Sequence, residues 1–142
     1  MKCTFFGHRD TPREVAPRLR DALVQLIEQH GADTFYVGNQ GEFDSMVEKV
    51  LRELQGIYPH IVCFTVLAYM PAYMPGAADG METIYPEGLE TTPKRFAISK
   101  RNRWLIDHSD TVIAYVKYST GGAVQWKELA EKKGKRVINL AK

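Results

Sequence analysis

Three times in this chain a short run of β-branched and aromatic residues ends in a glycine-bearing turn and passes directly into helical spacing. Residues 2–6 (KCTFF) end at Gly7-His8-Arg9-Asp10, and after Pro12 the apolar residues Leu19, Leu23, Leu26 and Ile27 fall three and four apart. Gly31 stops that helix. Residues 34–37 (TFYV) then break at Gly38-Asn39-Gln40-Gly41, after which Met46, Val47, Val50, Leu51 and Leu54 repeat at helical spacing. Residues 111–116 (TVIAYV) end at Ser119-Thr120-Gly121-Gly122 and pass into a helix marked by Val124, Leu129 and Ala130. A strand followed repeatedly by a helix can rejoin its own sheet only through a crossover, which places the strands parallel and the helices on the faces.

The remaining segments fit the same plan. Residues 61–67 (IVCFTVL) are continuously apolar, the pattern of a strand covered on both faces near the sheet centre. Phe96, Ile98, Trp104, Leu105 and Ile106 predict a helix before 111–116, and residues 136–140 (RVINL) a last strand. The expectation is a single α/β domain over 1–142, with a doubly wound, mainly parallel, five-stranded sheet and helices on both faces. Between the third and fourth predicted strands, residues 68–92 lose periodicity and carry Pro71, Pro75, Gly76, Gly80, Pro86 and Gly88 with Tyr69, Tyr73 and Tyr85. A loop of that length in so small a domain is expected to be a lid or binding loop.

Composition narrows the partners. Nineteen Lys and Arg against seventeen Asp and Glu leave a net charge of +2, which does not make a nucleic-acid-binding surface by bulk electrostatics. The basic cluster Lys132, Lys133, Lys135 and Arg136 closes a helix, where cations face the negative end of the dipole. Cys3 and Cys63 sit inside apolar strand runs as core residues, so a reducing, cytoplasmic compartment is expected. The chain begins directly on a strand pattern, so no leader peptide is expected, and no apolar run approaches a membrane span. His8, His30, His60 and His108 are scattered without ligand-spaced partners, so neither a metal nor a cofactor is expected.

In an open parallel sheet, ligands bind beyond the carboxyl ends of the strands, where loops expose backbone N–H groups and helix N-termini. The three glycine turns all fall at such ends. None spells a dinucleotide fingerprint or a Walker A sequence. The most informative turn is Gly38-Asn39-Gln40-Gly41-Glu42-Phe43-Asp44, where two carboxylates stand at a helix start. They either cap that helix or hold a ribose hydroxyl pair, and the segment alone leaves both open. Arg9 suits bidentate phosphate contact, whereas His8 is open between a ligand contact and a loop hydrogen bond. Lys100, Arg101 and Arg103 lie on one helix turn, so only one or two of them face a ligand. The expected ligand-binding set is Gly7, His8, Arg9, Gly38, Asn39, Gly41, Glu42, Asp44, Arg101, Asn102, Thr120, Gly121 and Gly122.

Thr4-Phe5-Phe6-Gly7-His8-Arg9, the Gly38–Asp44 turn, and the stretch from Ala97-Ile98-Ser99-Lys100-Arg101-Asn102 through Ser109-Asp110 to Gly121-Gly122 resemble the SLOG superfamily. That superfamily unites DNA-processing protein A with the Lonely Guy phosphoribohydrolases, and the likeness points to its small bacterial DUF1273/YpsA-like branch. The resemblance implies a Rossmann-like fold, a nucleotide-like ligand and a homo-oligomer. It also implies candidate catalytic residues. The Lonely Guy enzymes cleave the N-glycosidic bond of a nucleoside 5′-monophosphate with an arginine and with a glutamate in P-G-G-x-G-T-x-x-E. Arg101 matches the arginine by its distance from Asp110, and Glu128 stands seven residues after Gly121, with Glu42 as a further carboxylate. The loop departs from the motif at Thr120, Val124 and Gln125, which replace its proline, glycine and threonine.

Three functions follow as expectations. The first is nucleotide binding or sensing at the sheet edge, with Tyr69 or Tyr73 stacking on a base. The second is phosphoribohydrolase-like cleavage of a nucleoside 5′-monophosphate. The third is a protein-interaction module built on residues 68–92.

Overall fold

The alternation closes into one six-stranded sheet in the computed structural model, which describes residues 1–69 and 81–141. In chain order the elements are β1 (Lys2–Gly7), α1 (Ala16–His30), β2 (Thr34–Val37), α2 (Gly41–Ile57), β3 (Val62–Val66), β4 (Glu82–Ile84), α3 (Lys94–Asp107), β5 (Thr111–Tyr115), α4 (Gly122–Lys132) and β6 (Arg136–Asn139). The strand order is β4-β3-β2-β1-β5-β6, and every neighbouring pair is parallel. The chain thus builds outward from β1 to β4, then crosses back to lay β5 on the other side of β1. That reversal between β1 and β5 is the topological switch point.

The five strands expected from the sequence are six. The additional strand, β4, comes from the stretch read as loop and pairs Phe64 with Glu82, Thr65 with Thr83 and Val66 with Ile84. Three residues with one apolar side chain, half-buried at a sheet edge, carry too little alternation to register as a strand. The segment's other sequence landmarks from Pro71 to Gly80, including Tyr73, lie outside the described residues.

Side-chain alternation sorts the core into two layers. Cys3 and Phe5 of β1, Phe35 and Val37 of β2, and Ile113 and Tyr115 of β5 face α1 and α2, meeting Leu19, Leu23, Leu26, Val47, Leu51 and Leu54. Phe6, Tyr36 and Val112 point to the opposite face, against Leu105 and Ile106 of α3 and Trp126 and Ala130 of α4. This period of two along each strand is the geometric consequence of the pleat. Helix α1 ends at Gly31 in the left-handed conformation, φ 73°, as its sequence position predicts. Burial pushes the thiols of Cys3 and Cys63 up to about 12, so both are inert core residues. Among the described residues no helix is long and apolar enough to cross a membrane, and no group of His, Cys, Asp and Glu could hold a metal ion.

Helix α3 differs from the usual amphipathic pattern. Its buried residues are Ala97, Arg101, Asn102, Leu105 and Ile106, whereas Phe96, one of the residues that predicted it, is 51% exposed. An arginine and an asparagine occupy the face where core residues belong.

Candidate functional site

A cleft of about 270 Å³ opens at the carboxyl edge of the sheet, at the switch point. One wall is the end of β1 and the turn after it, Gly7-His8-Arg9. The second is Gly38, Gln40 and Asp44 at the β2–α2 junction. The third is α3, and the fourth is the start of α4 at Gly122 and Ala123.

Each wall is held by local physics. After β1, the Thr11 hydroxyl donates to the His8 carbonyl at 2.6 Å and closes the turn. His8 is not free: its Nε2 accepts the Lys117 backbone N–H at 3.0 Å, and its ring packs on Tyr118 with centroids 4.8 Å apart. The imidazole therefore ties the β1–α1 turn to the loop leaving β5. Arg9 is exposed along the cleft rim, and its backbone carbonyl accepts the Glu42 N–H at 2.9 Å. That contact needs a glycine beside it. Gly41 has φ 90°, and a Cβ there would lie 2.9 Å from the Arg9 Cα. Gly7 is a glycine for another reason, because a side chain would overlap the Phe43 ring.

The α3 wall is a single stripe, Ile98, Arg101, Asn102 and Leu105, at the i, i+3, i+4, i+7 spacing of one helix face. Arg101 is 2% exposed. Its Nε donates to Asn102 Oδ1 at 2.9 Å, and Nη1 donates to the Val66 carbonyl at 2.8 Å and to Asn39 Oδ1 at 3.3 Å. Among the described residues Nη2 donates to nothing, and neither does Asn102 Nδ2. Burial lowers the guanidinium's pKa from its ordinary value, and the Asp44 carboxylate opposes that shift.

Asp44 faces the guanidinium across Gly38. A Cβ on Gly38 would lie 2.8 Å from Asp44 Oδ2 and 3.3 Å from Arg101 Nη1, so the bare backbone is what lets both charged groups converge. Asp44 Oδ2 accepts the Gln40 N–H at 2.9 Å, which satisfies one orphan donor of α2. Burial pushes the Asp44 carboxyl up to about 6, against the lowering effects of the Gln40 hydrogen bond and of Arg101. The capping reading of this turn is what the geometry shows: one Asp44 oxygen caps the helix, and the other has no partner among the described residues.

Opposite, α4 begins at Gly122 with no side-chain cap. Gly121 reaches φ 111°, and the Cβ direction of Gly122 meets nothing within 4 Å. The first residues of α4, Gly122 and Ala123, thus line the same cleft as the buried Arg101. That pairing of a positive helix end with guanidinium chemistry suits an anion.

Of the residues expected from the sequence, Gly7, His8, Arg9, Gly38, Asp44, Arg101, Asn102 and Gly122 line the cleft. Asn39 supports it from behind through Arg101, and Gly41 and Gly121 shape its turns. Glu42 and Thr120 are exposed outside its lining. Glu128 is exposed in a separate groove between α3 and α4, beside Arg103 and Lys132. Tyr69 stands at the start of α3, its hydroxyl donating to the Lys94 carbonyl at 3.4 Å. Sequence reasoning missed Gln40 and the apolar floor of Phe6, Ile98, Leu105 and Trp126. The i, i+3, i+4, i+7 stripe on α3 was the signal for Ile98 and Leu105.

The fold and cleft define a doubly wound, Rossmann-like α/β domain with an anion-suited site at its switch point. No family model and no curated protein matches the chain. Among solved structures it is similar to DNA processing protein A from Streptococcus pneumoniae, with a TM-score of 0.67 over 96% of this chain and 17% sequence identity. The chain spans about half of that protein's length, 48%. At this identity the likeness is one of fold, and it is the fold that the resemblance to the SLOG superfamily implies.

Proposed function

We propose that this chain binds a nucleotide or a nucleotide-derived small molecule at the cleft between β1 and β5. The observation that carries the reading is Arg101, a buried guanidinium whose Nη2 has no partner among the described residues. Burial of the guanidinium disfavours its charge, and an anion entering the cleft would offset that cost. The uncapped start of α4 and the rim arginine Arg9 add positive potential on the same opening. The ligand's phosphate sits at Gly122, within reach of that potential. A volume of about 270 Å³ suits a mononucleotide rather than a polymer, in line with the net charge of +2.

The test is a thermal-shift and calorimetric comparison of inorganic phosphate with the four common nucleoside 5′-monophosphates. Saturation at about a hundred times Kd stabilises the chain by about 2.7 kcal/mol. Arg101→Ala abolishes the shift. Failure of every monophosphate to stabilise the wild-type chain sinks the proposal.

Binding without turnover is favoured over phosphoribohydrolase-like cleavage, because of the carboxylates Glu42, Asp44 and Glu128 only Asp44 lines the cleft. The reading extends to the small bacterial DUF1273/YpsA-like branch, to a homo-oligomer and to a cytoplasmic setting, the last supported by two buried free thiols.

A further inference from the structure

Resting on that reading, we infer that His8 is a positioning residue of the cleft: its neutral imidazole anchors, through Lys117, the loop that presents Gly122 to the ligand, and protonation of the ring releases the anchor. The direction of one hydrogen bond fixes the state of the ring. A backbone N–H can only donate, so the Lys117 N–H at 3.0 Å makes His8 Nε2 the acceptor. The ring is then uncharged with its proton on Nδ1, which has no partner among the described residues. An imidazolium carries a hydrogen on both nitrogens and would turn one of them toward the Lys117 N–H, donor against donor.

The anchor stands where the chain has little else to hold it. Val116 is fixed on both sides by the Asn139 amide, and Lys117 by His8. Tyr118, Ser119 and Thr120 are exposed and make no hydrogen bond among the described residues, and α4 then begins at Gly122. Two ring contacts orient the imidazole: Tyr115 meets it edge-on with centroids 5.9 Å apart, and Tyr118 packs at 4.8 Å. The turn that carries His8 is closed by Thr11 and offers a firm base. The charged and titratable groups around the ring are Arg9 and Asp10 on its own turn, Tyr115, Lys117 and Tyr118 at the exit of β5, and Asp44 and Arg101 across the cleft. Helix α4 contributes none, since it lines the cleft with Gly122, Ala123 and Trp126. A histidine side chain changes charge between about pH 5 and 8, so mild acid acts on the contact.

The experiment pairs NMR of the free full chain with calorimetry. In wild type at about pH 7.5 the nitrogen-15 shifts of His8 place the proton on Nδ1, and titration to about pH 5 shifts the Lys117 amide and loosens residues 117–122 with the midpoint of the ring itself. His8→Gln, whose side-chain oxygen accepts at every pH, shows no such step, while Asp44, titrating near 6, is common to both chains and cancels between them. Binding is compared at about pH 7.5, with the wild-type ring neutral: the four common nucleoside 5′-monophosphates bind His8→Ala about fivefold more weakly than wild type, and His8→Gln restores affinity to within about twofold. A proton on Nε2, or a loop that stays ordered as the ring titrates, overturns the inference on wild type alone, so a folding defect in either variant leaves it decisive. His8→Ala binding as tightly as wild type overturns it too, as does His8→Gln binding as weakly as His8→Ala with an unchanged loop, the mark of a ring that touches the ligand directly. Each of these leaves nucleotide binding standing. Absence of binding by every monophosphate in wild type overturns the nucleotide reading and the positioning role together, whereas the NMR titration still decides whether the anchor exists.

Discussion

Asn139 completes Val116 from both sides: its Oδ1 accepts the Val116 N–H at 3.0 Å, and its Nδ2 donates to the Val116 carbonyl at 3.1 Å. Strand β5 ends at Tyr115 and β6 at Asn139, so the amide side chain supplies a rung beyond the paired backbone. The next residue, Lys117, gives its N–H to His8. The exit of β5 is thereby fixed before the chain turns toward Gly122. Asn139→Ala leaves both Val116 groups without this partner, and chemical denaturation is expected to show a loss of about 1–3 kcal/mol. The same variant weakens monophosphate binding, because the start of α4 loses its anchor.

Asp44 gives the free protein a pH dependence of unusual sign. Its carboxyl titrates near 6 when folded and at its ordinary 3.8 when unfolded, so the folded chain holds the proton more tightly. Stability therefore falls as pH rises from about 4 to about 6, and the penalty is complete above that window, with an upper bound of about 3 kcal/mol. Asp44→Asn keeps an acceptor for the Gln40 N–H and removes the charge. Urea titrations should find the variant more stable than wild type at pH 7.5, with the difference vanishing near pH 4. An equal difference at both pH values would show that burial of the charge is not its source.

Two glycines of the cleft should respond oppositely to alanine. Gly41→Ala forces a side chain into φ 90° and against the Arg9 backbone, and should cost about 1–3 kcal/mol in thermal or denaturant melts. Gly122→Ala has open space around its Cβ and lies in the first turn of α4. It should leave stability unchanged or raise it by up to about 1 kcal/mol while crowding the cleft wall and weakening phosphate binding.

Ser109 carries a buried hydroxyl oxygen with no hydrogen-bond partner, alone in this among the described residues. Ser109→Ala removes an unsatisfied polar group at nearly constant volume. Melting experiments should place it at or above wild type, by up to about 1 kcal/mol.

Much of this fold was legible because period and punctuation agree. Leu19, Leu23, Leu26 and Ile27 repeat on one face of α1 and Gly31 ends it, so the helix follows from spacing alone. Strand β4 was not legible, since Glu82, Thr83 and Ile84 owe their conformation to pairing with β3 rather than to any pattern of their own. The site divides in the same way. Turn residues such as Gly38 and Asp44 announce themselves by type. The contribution of α3 was only half visible, because Arg101 and Asn102 break the apolar pattern and so look like surface residues in a one-dimensional reading. Their burial depends on Val66 and Asn39, which belong to other elements. Glu128 illustrates the converse, where spacing from Gly121 matches a motif and the helix turn carries the side chain away from the cleft.

The two apolar layers are unequal, and that inequality has a dynamic consequence. Among the described residues, twenty-one buried side chains cluster on the α1–α2 face and eight on the α3–α4 face. Amide hydrogens of α3 and α4 should accordingly exchange with solvent faster than those of α2 and β1, as the more thinly packed layer opens at lower free energy. Arg101, Asn102 and Gly122 all ride on that looser layer, while Gly38 and Asp44 belong to the firmer one. A molecule seated between them would bridge a yielding jaw to a fixed one, and its arrival should register as slowed exchange in α3 and α4 far from any atom it touches.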